Sequence, residues 1–565
     1  MVGGMQGTVG RRDALALVAL ILVGVGIPLL LSAAAGAIGV PSNDDWVYMR
    51  AAETLFRTGS IDMPGHTAAA IGQVLIVQPM LWISAGDLWA FTAFGLLMGL
   101  IGLVCAYLLA RRFLAIAPAM LVVLLIEAFP GFARETASFM TDIPAYAFSM
   151  VCLLLGTRWL QGEGRRRTLV ASLGAGLVAV SIREFAIAAP AAILIASWAT
   201  NRAGERVWLL VVSSGLGAAV AGVLIAAASV PGRGLPVTPN IWQLGLVGPV
   251  FATLAAVVLP AAVLAMGRRM AKFSPEHLVL GAGLGCLVVI LPGGPLIGQL
   301  WMPDGLVGNA LLIGTRKPVI GADAWAVSEQ LAAFAAVLVA ALGLRWGQRT
   351  LGGVNPLSTA PGRLLRIARS SEAPLILFLL AYAGELVGLI ALSYFPLDRY
   401  LYPMVPVAAI LLLRGPARST RLGGSHAFAH ASLAWLVVSA FVINANSFAY
   451  DGARVRAGEA AVAMGYQART VDAGYDWVGY HASGVGNAGS RSYGLTWYDD
   501  ALSSSRPCVV LSNSLLDDQT MRLIRVDRSA YLQYLFLGPA EPLYMYGSLA
   551  DGCPAPPPAV AATAP

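Results

Sequence analysis

Apolar runs of about 20 residues recur along this 565-residue chain, each punctuated by arginine, and runs of that length cross a bilayer core as helices. Their centres lie near Val23, Leu97, Val122, Leu153, Gly174, Ile193, Ala218, Val257, Gly283, Ala335, Leu386, Val407 and Val438. The pattern predicts an α-helical polytopic membrane protein of about 13 transmembrane helices. The run from Leu169 to Ala199 is too long for one crossing at about 1.5 Å per residue. Arg183-Glu184 in its middle predicts a tight outward turn between two short spans. Asp62 to Asp87 is amphipathic, with Gln73, Gln78, Pro79 and Trp82, and is expected to lie at the interface.

From Tyr450 the pattern changes. Polar, Tyr-rich sequence carries strand-like runs such as Cys508-Val-Val-Leu-Ser and Tyr531 to Leu537. The expected organisation is a membrane part over residues 1–449 with outer loops 36–87 and 292–325. A small extracytoplasmic α/β domain follows over 450–553, then a disordered Pro/Ala tail over 554–565.

Composition agrees with a membrane protein: 58% of residues are hydrophobic, 12% are charged, and mean hydropathy is +0.73. Charge then orients the spans. Loops on the starting side hold 21 basic residues, from Arg11 and Arg12 to Arg421, against five acids. The opposite loops hold eight basic residues against twelve acids. By the positive-inside rule the N-terminus is cytoplasmic and, with thirteen spans, the C-terminus is outside, in a plasma or inner membrane. No convincing cleavage site follows Arg11 and Arg12, so Leu15 to about Ala35 is expected to stay as a span. The net charge of +7 is distributed by membrane side and does not point to nucleic acid. No Walker loop, His-Glu-x-x-His or Cys/His cluster is present, so ATP-driven transport and zinc proteolysis lack their signals.

The chemistry-bearing residues gather on the outer side. Directly after the first span comes Ser42-Asn-Asp-Asp-Trp-Val-Tyr48, which opens a helix that Gly59 closes. Ser42 and Asp45 have capping-box spacing, and successive helical residues point about 100° apart. One of Asp44 and Asp45 can therefore serve the cap while the other faces a cleft, and Trp46 and Tyr48 are expected at headgroup depth. A hairpin from Phe129 to Pro144 brings Arg134, Glu135 and Asp142 to the same side. A stretch from Phe395 to Pro406 adds Arg399 and Tyr400, and the long loop 292–325 adds Arg316 and Lys317. Cys508 and Cys553 stand alone in the polar C-terminal region and could form one disulfide.

The outward Asp44-Asp45-Trp46-Val47-Tyr48, the Asp142-Ile143-Pro144 hairpin, and Arg399-Tyr400 with Pro403 and Pro406 occur in that order on one side. This pattern resembles the GT-C glycosyltransferases, nearest the protein O-mannosyltransferases and the lipid A aminoarabinose transferase, over about Ala14 to Asn446. The resemblance implies transfer of a sugar from a polyprenyl-phosphate carrier to a cell-envelope glycan, lipid or protein at the outer face, usually with inversion. Asp44 then matches the catalytic aspartate, with Asp45 its partner and Asp142 a supporting acid. The three could instead hold a divalent cation, Mg or Mn. Arg399, Tyr400, Arg183, Lys317 and Arg316 are the candidates for the donor phosphate, and Tyr48, Glu184 and His66 for substrate. The aminoarabinose-transferase relatives carry Lys-Pro after the first outer helix, where this chain has Gln78-Pro79.

Two other readings stay open. Glu127 and Glu385 lie inside apolar runs, as proton-relay groups of a secondary transporter or flippase would. The chain could also be a non-catalytic envelope-assembly protein, with the paired aspartates only capping a helix.

Overall fold

A computed structural model describes residues 10–63, 70–200, 205–229, 239–267, 322–351, 369–414, 423–482, 507–532 and 540–556, with Gly283. Eight helices among these residues are long and apolar enough to cross a membrane by length and composition. The first, α1 (Arg11–Ala35), contains a π turn at Leu22–Gly26 and ends on left-handed Gly36. A helix α2 (Asp45–Thr58) and two short helices, α3 (Ile71–Ile76) and α4 (Gln78–Ile83), follow. Then come α5 (Trp89–Arg111), α6 (Ile116–Glu127), the short α7 (Phe132–Thr136) and α8 (Asp142–Leu160). The chain continues through α9 (Arg166–Ile182), α10 (Ala188–Thr200), α11 (Arg206–Ala228) and α12 (Val247–Gly267). The remaining long helices are α13 (Ala322–Leu351), α14 (Ala373–Ala391), α15 (Met404–Leu413) and α16 (Gly423–Ala463).

All the expected span centres fall inside one of these helices except that near Gly283, whose surroundings lie outside the described residues. The protein is a multi-pass membrane protein. The long run breaks where its charges sit: Arg183 takes an extended conformation and a 3-10 turn, Glu184–Ile187, joins α9 to α10. On α4 the apolar Trp82 and Ile83 stay 74% and 80% exposed, as suits a segment lying along a membrane.

The C-terminal region is the expected small α/β unit. Strands β1 (Val471–Asp472), β2 (Val509–Ser512), β3 (Met521–Leu532) and β4 (Ala540–Ser548) form one sheet in the order β1-β2-β4-β3. The β1–β2 pair is parallel and the others antiparallel. Helix α17 (Tyr475–His481) lies beside them, and Cys508 and Cys553 are joined in a disulfide. The boundary expected at Tyr450 falls inside α16, which runs unbroken from the membrane part to the sheet.

This unit sits on α2 and changes its surroundings. Trp46 and Tyr48 are each 2% exposed and so do not face headgroups. The C-terminal segment covers them: Tyr475 packs edge-on to Trp46, and a Cβ at Gly479 would stand 2.3 Å from the Trp46 ring. Arg50 donates to the Gly479 carbonyl at 2.9 Å, and Tyr480 donates to Glu53 at 2.8 Å.

Candidate active site

The start of α2 separates the two aspartates. Asn43 adopts a left-handed turn (φ +56°), a conformation its short polar side chain tolerates, and sets Asp44 and Asp45 on different faces. Asp45 is buried, and its carboxylate accepts from the backbone N–H of Ser42 at 2.5 Å and of Phe139 at 3.3 Å. Burial pushes the Asp45 carboxyl well up, while those two donors pull it down. The helix N-cap residue is Asp44, which makes no side-chain cap bond; the Asp45 carboxylate instead ties back the Ser42 N–H ahead of the helix, and Ser42 Oγ lies 3.5 Å from Asp451. Asp44 is open, its side chain 38% exposed, and accepts from Tyr475 Oη at 2.9 Å.

Four further elements bring charge to the same place. A 3-10 turn, Asp398–Leu401, presents Arg399, whose guanidinium lies 3.7 Å from Asp44, 3.7 Å from Glu135 and 3.4 Å from Asp142. Arg183, held out by the break between α9 and α10, lies 3.2 Å from Asp142 and donates to Thr141 Oγ1 at 2.8 Å. Its guanidinium also stacks over Tyr400 at 4.7 Å and Phe185 at 5.0 Å. Apart from Asp44, the charged members are 1–7% exposed.

These ion pairs are loose. Arg399 Nε and Nη1 and both Asp142 oxygens make no hydrogen bond, although they are buried. Desolvated charges that keep unused donors and acceptors are costly in an idle core and expected at a ligand site. Burial disfavours the Arg399 charge, but Asp142 and Glu135 outweigh it and raise its pKa. Glu135 is pushed up to about 7, burial overcoming the opposing pull of Arg399. Burial also raises the Tyr48 phenol, which sits within electrostatic range of Arg183, Asp44, Asp142 and Arg399. A narrow cavity reaches the cluster, lined by Asp142, Ser149, Phe185, Tyr382, Arg399 and Tyr400.

The structure thus brings together Asp44, Asp142, Arg183, Arg399, Tyr400 and Tyr48, and turns Asp45 away. Glu184 opens the 3-10 turn after Arg183. His66, Arg316 and Lys317 lie outside the described residues. Glu135 and Tyr475 complete the site and were not assigned to it from sequence. Glu135 stands in the hairpin already singled out, whereas nothing local to Tyr475 marks it.

Arg399 contacts Asp44 and Asp142, and Asp45 is committed to backbone donors. Among the described residues no group of three or more His, Cys, Asp or Glu is placed to hold a metal.

Fold and site together define a multi-pass membrane protein with a buried, under-bonded arginine–carboxylate cluster beside α2. More particularly, residues 72–230 match the family described as dolichyl-phosphate-mannose-protein mannosyltransferase. That stretch holds Asp142 and Arg183, while Asp44 and Arg399 lie outside it. No curated protein matches the sequence. Among solved structures, ArnT from Cupriavidus metallidurans bound to undecaprenyl phosphate is similar at 13% identity, covering 96% of this chain and 98% of that one, with a TM-score of 0.40. The Archaeoglobus fulgidus oligosaccharyltransferase is similar at 15% identity over 78% of this chain and 57% of that one, with a TM-score of 0.39. The arabinosyltransferase EmbB from Mycobacterium smegmatis is similar at 12% identity over 70% and 42%, with a TM-score of 0.30. At those scores the likenesses carry no argument, and the roles of individual residues rest on the geometry above.

Proposed function

We propose that this protein transfers a sugar from a polyprenyl-phosphate carrier to a cell-envelope acceptor at the outer face of the membrane, with inversion at the anomeric carbon. The supporting observation is the pairing of an open carboxylate, Asp44, with the under-bonded Arg399 at 3.7 Å. The acceptor hydroxyl oxygen attacks the anomeric carbon as the carbon–oxygen bond to phosphate breaks, and its proton passes to Asp44. Polyprenyl phosphate leaves with the bonding pair, and Arg399 and Arg183 stabilise its charge through forked donors. Asp142 holds both arginines in place between turnovers.

On this reading Arg399 supplies the positive charge between Asp44 and Asp142, and transfer needs no divalent cation. The charge asymmetry of the loops supports a cytoplasmic N-terminus and a site opening outward. The C-terminal unit, which covers α2, forms one wall of the acceptor path.

The deciding experiment supplies membranes containing the protein with labelled polyprenyl-phosphate sugars and an envelope extract as acceptor. Transfer by wild type and its loss in Asp44→Asn at equal expression support the assignment. Equal transfer by both would overturn it. An accessible-cysteine scan of residues 36–44 from either side of sealed vesicles tests the orientation separately.

A further inference from the structure

Glu127, at the end of α6, lies outside the cluster just described. It is 9% exposed, and neither of its oxygens has a hydrogen-bond partner among the described residues. It lines a cavity between α1, α6, α7 and α16 whose other walls are mainly apolar, including Val23, Ile27, Phe132 and Phe441. Val23 is 40% and Phe441 45% exposed on membrane-spanning helices, so the rim of this cavity faces lipid.

The first helix is shaped around the carboxyl. Its π turn, Leu22–Gly26, lies at this level, and π turns inside helices often mark functional positions. Gly24 makes the close approach possible: a Cβ there would stand 2.7 Å from Glu127 Oε1 and 2.3 Å from Leu103 Cδ1. A carboxyl admitted this closely into an apolar wall, with no cation beside it among the described residues, sits there as the neutral acid with a proton to donate.

What it donates to is constrained by its surroundings. A water would need two to four polar partners. Asn444, the other polar residue of the lining, is already engaged: Oδ1 accepts from the Arg134 N–H at 2.9 Å and Nδ2 donates to the Ala440 carbonyl at 2.6 Å. An isoprenoid tail offers no acceptor along its length. A single carbonyl flanked by hydrocarbon fits both the lone donor and the apolar walls. We propose that this groove binds one ester-linked membrane lipid, whose ester carbonyl accepts a hydrogen bond from Glu127 while its chain lies against Val23, Ile27 and Phe441. The site is separate from the transfer chemistry and does not depend on the donor or acceptor assigned above.

The test reconstitutes the full chain in nanodiscs of phosphatidylglycerol, either diester or the diether analogue with the same chains, and counts lipid retained on the purified protein by native mass spectrometry. Wild type should retain the diester about fivefold better than the diether, the ratio one neutral hydrogen bond supplies. Glu127→Gln keeps a donor and should retain the diester. Glu127→Met keeps the length without the donor and should lose it about fivefold. Val23→Trp fills the groove, leaves Glu127 in place, and should lower retention of both lipids. Equal retention of diester and diether by wild type, or undiminished retention by Glu127→Met, would overturn the proposal. Should Glu127→Met not fold, the diester–diether comparison on wild type decides alone.

Discussion

Tyr475 Oη donates to Asp44 Oδ1 at 2.9 Å, joining the C-terminal unit to helix α2 across 431 positions of sequence. The opposite oxygen of Asp44 faces Arg399 at 3.7 Å, so the one exposed carboxylate of the site is held from both sides. If Asp44 accepts the acceptor's proton, Tyr475 is the group that aims it. A hydrogen bond to a charged group is worth about 1.5–3 kcal/mol. Tyr475→Phe should therefore lower kcat by about tenfold or more, with KM for the lipid-linked donor little changed. A loss confined to KM in steady-state transfer assays would assign Tyr475 to substrate binding instead.

The two adjacent aspartates should separate in their effects. Asp44→Asn removes an exposed acceptor of protons and should reduce transfer by roughly 10²–10⁴-fold with unchanged thermal stability. Asp45→Asn disturbs a buried carboxylate that holds Ser42 and Phe139, and should lower the melting temperature by an amount equivalent to about 1–3 kcal/mol. Equal expression and melting curves for the two variants, compared with their transfer rates, show whether stability and chemistry divide this way.

Much of this arrangement was legible in the sequence because it depends on local rules. The apolar runs gave the helices, Arg183 marked the break in the long run, and Gly59 closed α2 with a left-handed φ of +75°. The spacing of Ser42 and Asp45 marked the helix start and left one acid free to cap it; the structure instead has Asp45 binding the Ser42 N–H, with no side-chain cap bond from Asp44. What could not be read came from distant packing. Tyr475 meets Asp44 only because α17 lies over α2, and Trp46 is buried rather than at headgroup depth for the same reason. Glu135 was visible in the hairpin, but its part in the site depends on Arg399, which arrives from 264 residues further along.

Removing divalent cations should leave transfer intact. Arg399 contacts both Asp44 and Asp142, and the proposed reaction draws its positive charge from arginine. Transfer after exhaustive EDTA treatment should stay within about twofold of the untreated rate, since only uniform salt effects remain. A loss restored by Mg or Mn would show that these carboxylates rearrange around a cation when the donor binds.

The disulfide between Cys508 and Cys553 closes a loop with a sequence separation of 45 and ties the start of β2 to the segment after β4. Chain-entropy reasoning puts the contribution of a loop that long at about 4 kcal/mol. Reduction, or Cys508→Ser, should therefore destabilise the C-terminal unit while leaving the membrane helices folded. Since that unit carries Tyr475, transfer should fall along with it. Limited proteolysis with and without reductant would show cleavage appearing within 507–556 first.

The clearest pH dependence should come from Glu135. Burial pushes its carboxyl up to about 7, against the attraction of Arg399 and Arg134, while Asp142 and Asp398 act in the same direction as burial. The unfolded value is about 4.3. The folded state thus binds the proton more tightly, and this group's contribution to stability is fully present below about 4.3 and lost as pH rises through about 7. On the proposed reading, ionised Glu135 also competes with the donor phosphate for Arg399, which it approaches to 3.7 Å. In wild type, kcat/KM for the donor should fall as pH rises past about 7, and stability should decline over pH 4.3–7. Glu135→Gln fixes the neutral form and should flatten both profiles. An unchanged alkaline limb in Glu135→Gln would place the titrating group elsewhere in the cluster and leave Arg399 governed by Asp142 alone.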